Sequence, residues 1–163
     1  MPTAFLIYGH IGVGKTTVAR QLEEQHTAVR FTSDEWVAAL YGPEEGSVTD
    51  FAHALSRVEG VMEPLWTRWL QAGVDVVLDL GFWSRAKRDH VREAVVRYGG
   101  TVDLVSVTCG REVAWARVDQ RNGRLDGSSV QVSYETFDAL RSEVEELAPD
   151  ESYREVKTDR PNC

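Results

Sequence analysis

The run Ala4-Phe5-Leu6-Ile7-Tyr8 leads directly into Gly9-His10-Ile11-Gly12-Val13-Gly14-Lys15-Thr16. A short apolar run closed by glycine suits a strand buried on both faces. The pattern that follows, G-x-x-x-x-G-K-T, lets successive backbone N–H groups curl around phosphate oxygens, while the next helix points its positive end at them. Lys15 can then reach the β- and γ-phosphates, and the Thr16 hydroxyl can ligate Mg²⁺. A strand, a phosphate loop and a helix in that order commit the chain to an α/β fold. The cradle expected to hold ATP is Gly9, His10, Ile11, Gly12, Val13, Gly14, Lys15, Thr16 and Thr17.

The rest of the chain repeats the alternation. Strand patterns lie at 28–32, 74–79 and 102–108, with a weaker fifth at 153–157. Helical patterns lie at 15–25, 49–72, 84–98, 111–121 and 133–147, and Ser84 and Ser133 stand where N-caps belong. Pro64 predicts a kink or break within 49–72. Alternating strands and helices argue for a parallel sheet covered on both faces, a three-layer α/β/α domain. A length of 163 residues fits one domain over 1–163.

Chemistry concentrates after the strands, because ligands of open α/β sheets bind at the carboxyl ends. Asp79 ends the most hydrophobic strand and can organise the metal with Thr16. Asp34, in Phe31-Thr32-Ser33-Asp34-Glu35-Trp36, can accept a proton from a substrate hydroxyl, cap the next helix, or do both. Glu35 is the rival base. Arg111, Arg117, Arg121 and Arg124 precede the polar stretch Leu125-Asp126-Gly127-Ser128-Ser129, which has the composition of a mobile lid around 121–132. Such a lid can bring guanidinium groups over phosphates. Helical spacing in 49–72 reads first as core and second as a pocket wall, and His53 and Arg57 share a face there. The basic residues Arg85, Lys87, Arg88, Arg92 and Arg97 alternate with Asp89 and Glu93, which predicts a solvated mixed face.

Composition narrows the remaining classes. The formal net charge of −8 disfavours a nucleic-acid binder. No run approaches the length of a membrane span, and the first residues lack the basic stretch of a signal peptide. Two cysteines, Cys109 and Cys163, make no disulfide framework, so a reducing, cytoplasmic setting is expected. The four histidines show no metal-site spacing.

Taken in order, these parts resemble a group of small P-loop kinases related to the kinase domain of 5′-end polynucleotide kinases, zeta toxins, chloramphenicol phosphotransferase and gluconate kinase. The resemblance implies five parallel strands in the order 2-3-1-4-5. It also implies transfer of the ATP γ-phosphate, with Mg²⁺, to a hydroxyl. By the same resemblance Asp34 deprotonates the acceptor and Asp79 serves the metal. Arg121, within Gln120-Arg121-Asn122, contacts ATP phosphates, Arg117 lies near the adenine, and Ala148-Pro149-Asp150-Glu151 forms a loop close to it. Polynucleotide kinases carry a basic residue shortly after the base, whereas Asp34-Glu35-Trp36-Val37-Ala38 is acidic and then apolar. A neutral or cationic hydroxylated small molecule is therefore the expected acceptor, with Trp36, Tyr41 and Trp66 as apolar walls. The alternatives are a 5′-hydroxyl polynucleotide kinase and a nucleotide-binding switch or ATPase without acceptor. A switch needs no base, so Asp34 discriminates between them.

Overall fold

The computed structural model describes residues 1–42, 48–124 and 131–159. β1 (Thr3–Tyr8) leads through the glycine loop into α1 (Lys15–His26), then β2 (Val29–Thr32) and α2 (Ser33–Tyr41). α3 (Val48–Gln71), β3 (Val76–Asp79), α4 (Arg85–Arg97) and β4 (Thr101–Thr108) follow. α5 (Arg111–Asn122), α6 (Tyr134–Ser142) and β5 (Arg154–Lys157) complete the chain. The strands form one parallel sheet in the order β2-β3-β1-β4-β5.

Period-two alternation divides the core into two layers. Ala4, Leu6 and Tyr8 of β1 point to the face covered by α3 and α4, where Met62, Trp66 and Val95 are buried. Phe5 and Ile7 point to the opposite face, against Val18 and Leu22 of α1, Ala114 and Val118 of α5, and Phe137 of α6. This agrees with the three-layer, parallel expectation strand by strand.

Several local expectations change. Ser84 and Ser133 do cap their helices, accepting from Lys87 N at 3.2 Å and Thr136 N at 3.1 Å. Asp34 does not cap: Thr32 occupies that position and Asp34 lies inside the first turn of α2, which the sequence patterns had left out. α3 passes through Pro64 as one helix. The carbonyl facing a proline ring belongs to the residue four earlier, here Gly60. Thr67 Oγ1 donates to the neighbouring Glu63 carbonyl at 2.8 Å.

α6 stops at Ser142 instead of reaching 147, because Val144 turns into the core and Glu145 N donates to the Trp83 carbonyl at 2.7 Å. The strap that follows is held by α4. Arg88 is fully buried and grips Glu151 with two bonds of 2.9 and 2.8 Å, while Arg92 adds a third at 2.6 Å. The remaining Arg88 N–H groups donate to the carbonyls of Phe82, Glu145 and Glu146. The α4 cations are thus not a simply solvated face. Its buried bidentate pair anchors residues 145–151.

Removing one partner of a buried pair strands the other charge, at a cost of about 3–5 kcal/mol. Arg88→Ala should lose stability of that order in urea denaturation. Hydrogen bonding by Arg88 holds the Glu151 carboxyl at about 2, below its ordinary 4.5. The pair's contribution is therefore complete above about pH 4.5 and is lost as pH falls toward 2. Acid titration of stability should show that slope in the parent chain and not in Arg88→Ala.

Candidate active site

The glycine loop is fixed by crowding. Gly12 adopts φ 81°, and a Cβ there would lie 2.5 Å from the Ala114 carbonyl oxygen of α5. Gly14 takes φ 93° as the residue preceding α1. Both positions need left-handed backbone, and at Gly12 the close approach of α5 excludes any side chain as well. Lys15 Nζ folds back to donate to the His10 carbonyl at 2.9 Å, closing the loop on itself. Burial pushes the Lys15 ammonium below its usual pKa, while Asp79 and then Asp34 pull it back up.

The sheet order brings those carboxylates together. β3 neighbours β1, and its last residue, Asp79, accepts from Thr16 Oγ1 at 3.1 Å. Asp79 is buried, and desolvation raises its pKa against the opposing pull of Lys15 and the Thr16 hydrogen bond. A hydroxyl and a carboxylate in contact suit Mg²⁺, which takes few protein oxygens and fills its octahedron with water and phosphate. No cluster of three or more His, Cys, Asp or Glu able to hold a metal exists among the described residues. The Thr16–Asp79 pair offers two oxygens of the kind that could hold a nucleotide-borne cation.

β2 ends beside β3 and delivers Asp34 to the same edge. Asp34 opens to solvent, yet the surrounding walls still disfavour its charged form and raise its pKa. Lys15, Lys87 and Arg121 oppose that rise. Glu35, one residue on, is engaged elsewhere: it meets Arg20 at 3.0 Å and Arg30 at 3.1 Å. The geometry separates two carboxylates that the sequence left as rivals. Asp34 faces the lysine and Glu35 holds two arginines.

The arginines also divide. Arg117 donates to the Val13 carbonyl at 3.2 Å and to Thr158 Oγ1 at 3.0 Å, bracing the loop against the segment after β5. Arg121 is exposed at the end of α5 and its charge reaches both Lys15 and Asp34. Arg111 pairs with Asp138 of α6. Arg124 is exposed, and residues 125–130 of the expected lid lie outside the described residues. Ala148–Glu151 is committed to Arg88.

His53 and Arg57 are exposed on α3. Of the expected apolar walls, Trp66 lines a groove, Trp36 packs near Phe31 and Tyr41 is exposed. Two neighbours went unread. Lys87 carries no distinctive local pattern, yet its charge reaches Asp34. Glu146 Oε1 lies 3.5 Å from His10 Nε2, and the Arg141 charge also reaches that imidazole, whose pKa is lowered mainly by burial.

A family model described as AAA domain matches residues 5–147. The chain belongs to that family. A sugar kinase from Janibacter sp. HTCC2649 superposes with a TM-score of 0.64 at 21% identity, covering 96% of this chain and 86% of that one. The APS kinase CysC of Mycobacterium tuberculosis, in complex with AMPPNP and APS, gives 0.60 at 17% identity over 98% and 90%. A chain of the Pnkp1/Rnl/Hen1 RNA repair complex gives 0.71 at 17% identity over 88% of this chain and 44% of that one. No curated protein sequence matches. These likenesses show a P-loop, kinase-like fold. Among the described residues no helix is long and apolar enough to cross a membrane.

The Lys15 ammonium bonds to the phosphate loop and belongs to neither core cluster, so Lys15→Ala should abolish measurable ATP binding in titration calorimetry. Its melting temperature without nucleotide should stay within a degree or two of the parent.

Proposed function

We propose that the protein is a phosphotransferase moving the ATP γ-phosphate, with Mg²⁺, to a hydroxyl of a small molecule. One observation carries this reading: Asp34, in the first turn of α2 at the carboxyl edge of the sheet, feels the Lys15 charge while Glu35 is tied to Arg20 and Arg30. A hydrolytic switch has no need of a carboxylate so placed. In this reading Lys15 and the loop amides hold phosphate, and Thr16 and Asp79 would hold the Mg²⁺. The metal, when bound, neutralises charge on the phosphate oxygens. Asp34 takes the acceptor proton as the oxygen attacks phosphorus, and Arg121 offsets charge developing on the transferred group. The kinase-like fold shared with a sugar kinase and with APS kinase supports the class of reaction.

A positioned base contributes about 10²–10⁴-fold. Asp34→Asn should lose that much kcat with ATP affinity nearly unchanged, whereas Glu35→Gln should keep turnover within a few fold. Because desolvation raises the Asp34 pKa, the acidic limb of the kcat profile should lie above the ordinary carboxylate value of 3.8 and disappear in Asp34→Asn. Near-parent transfer in Asp34→Asn would overturn the assignment.

The acceptor class has its own measurement. Incubated with ATP, Mg²⁺ and 5′-hydroxyl oligonucleotides at low salt, the protein should leave the ends unlabelled. Efficient labelling that falls steeply with salt would instead indicate phosphate-tracking contacts and a polynucleotide kinase.

A further inference from the structure

α3 and α4 enclose a groove of about 420 Å³, within the range of small-molecule sites. Both helices start at the carboxyl edge of the sheet and run down the same face, since each leads into the next parallel strand. The groove therefore has an upper end at that edge, lined by Leu80 and Lys87. Leu80 directly follows Asp79, and Lys87 is second only to Lys15 in favouring the charged form of Asp34. The groove therefore opens at the carboxyl edge of the sheet, next to the strand end that carries Asp79.

Its lining is mixed. Trp66 and Leu55 give an apolar wall, and Gly60 leaves the space open, since a Cβ there would meet nothing within 4 Å. At the upper end Lys87 Nζ meets Glu59 Oε1 at 2.8 Å and also donates to the Leu80 carbonyl. One helical turn lower, the Glu63 carboxylate meets His90 Nε2 at 3.1 Å. Two carboxylates face a single permanent cation, and that cation is spent on Glu59. The lower half of the groove suits a positive charge.

Resting on the kinase reading above, we propose that this groove holds the acceptor, a hydroxylated amine of about disaccharide length. The ammonium binds at Glu63, and a hydroxyl reaches the upper end between Lys87 and Asp34. Glu59 and Glu63 are four residues apart, a rise of about 6 Å along the helix, so an amine at Glu63 with its hydroxyl above the Lys87–Glu59 pair calls for more than one sugar ring. In the transfer, the acceptor hydroxyl gives its proton to Asp34 and its oxygen bonds to the γ-phosphorus. The bond from that phosphorus to the bridging oxygen breaks, leaving ADP and the phosphorylated amine.

The test uses a matched pair of probes, the disaccharide of glucosamine and cellobiose, which share a skeleton but carry amines or hydroxyls at two positions. The parent protein should phosphorylate the amine with kcat/KM at least tenfold higher than for cellobiose. Glu63→Gln should reduce that preference to under threefold. Gly60→Leu fills open space on an exposed helix face, so melting should hardly change, while KM for the amine rises at least tenfold. ATP affinity should stay at the parent value in both variants. No transfer to the amine, equal use of cellobiose, or parent-like kinetics in both variants would overturn the assignment. If transfer to another hydroxyl compound requires Asp34 but ignores both groove variants, the kinase reading stands and the groove assignment falls. If ATP is only hydrolysed whatever hydroxyl compound is added, both fall.

Discussion

A lysine stripped of water at the centre of the phosphate loop needs negative charge nearby, and the sheet supplies it. Burial lowers the Lys15 pKa, and Asp79 at the end of β3 and Asp34 in the first turn of α2 pull it back up. The order β2-β3-β1 makes this possible, because it sets the carboxyl ends of β3 and β2 in succession beside β1.

The loop itself is held from behind. α5 presses the Ala114 carbonyl against Gly12, and Arg117 ties Val13 to Thr158. On the other face, Arg88 and Glu151 fix the strap that carries Glu145 and Glu146 over the end of β1. Tyr8 donates to the Glu145 carbonyl at 3.3 Å, and burial lifts the pKa of its hydroxyl to about 12. A loop that must bind phosphate without reorganising benefits from such buttresses, since preorganised dipoles lose nothing at the moment of reaction.

Where the residues involved are close in sequence, the chain was legible. The glycine loop, the strand alternation and the two serine caps follow from local spacing, while the Thr16–Asp79 pairing, 63 residues apart, was legible only through the phosphate-loop motif. The harder points are long-range. Glu35 differs from Asp34 only because Arg20 and Arg30, on α1 and β2, reach it and tie it down. Arg88 looks like one of several helix cations until Glu151, 63 residues away, is seen to close on it. Lys87 enters the site because α4 starts beside β3, a fact of packing with no trace in its neighbours.

The sequence by itself determined the class of fold, the phosphate loop and the set of acids and cations available to it, because backbone geometry and periodicity act over a few residues. Only the tertiary structure decided which carboxylate faces the lysine, which arginines are structural and where a groove opens between α3 and α4. Those outcomes depend on which charges meet once the sheet has formed. Competition for partners across tens of residues is settled by packing and not by spacing.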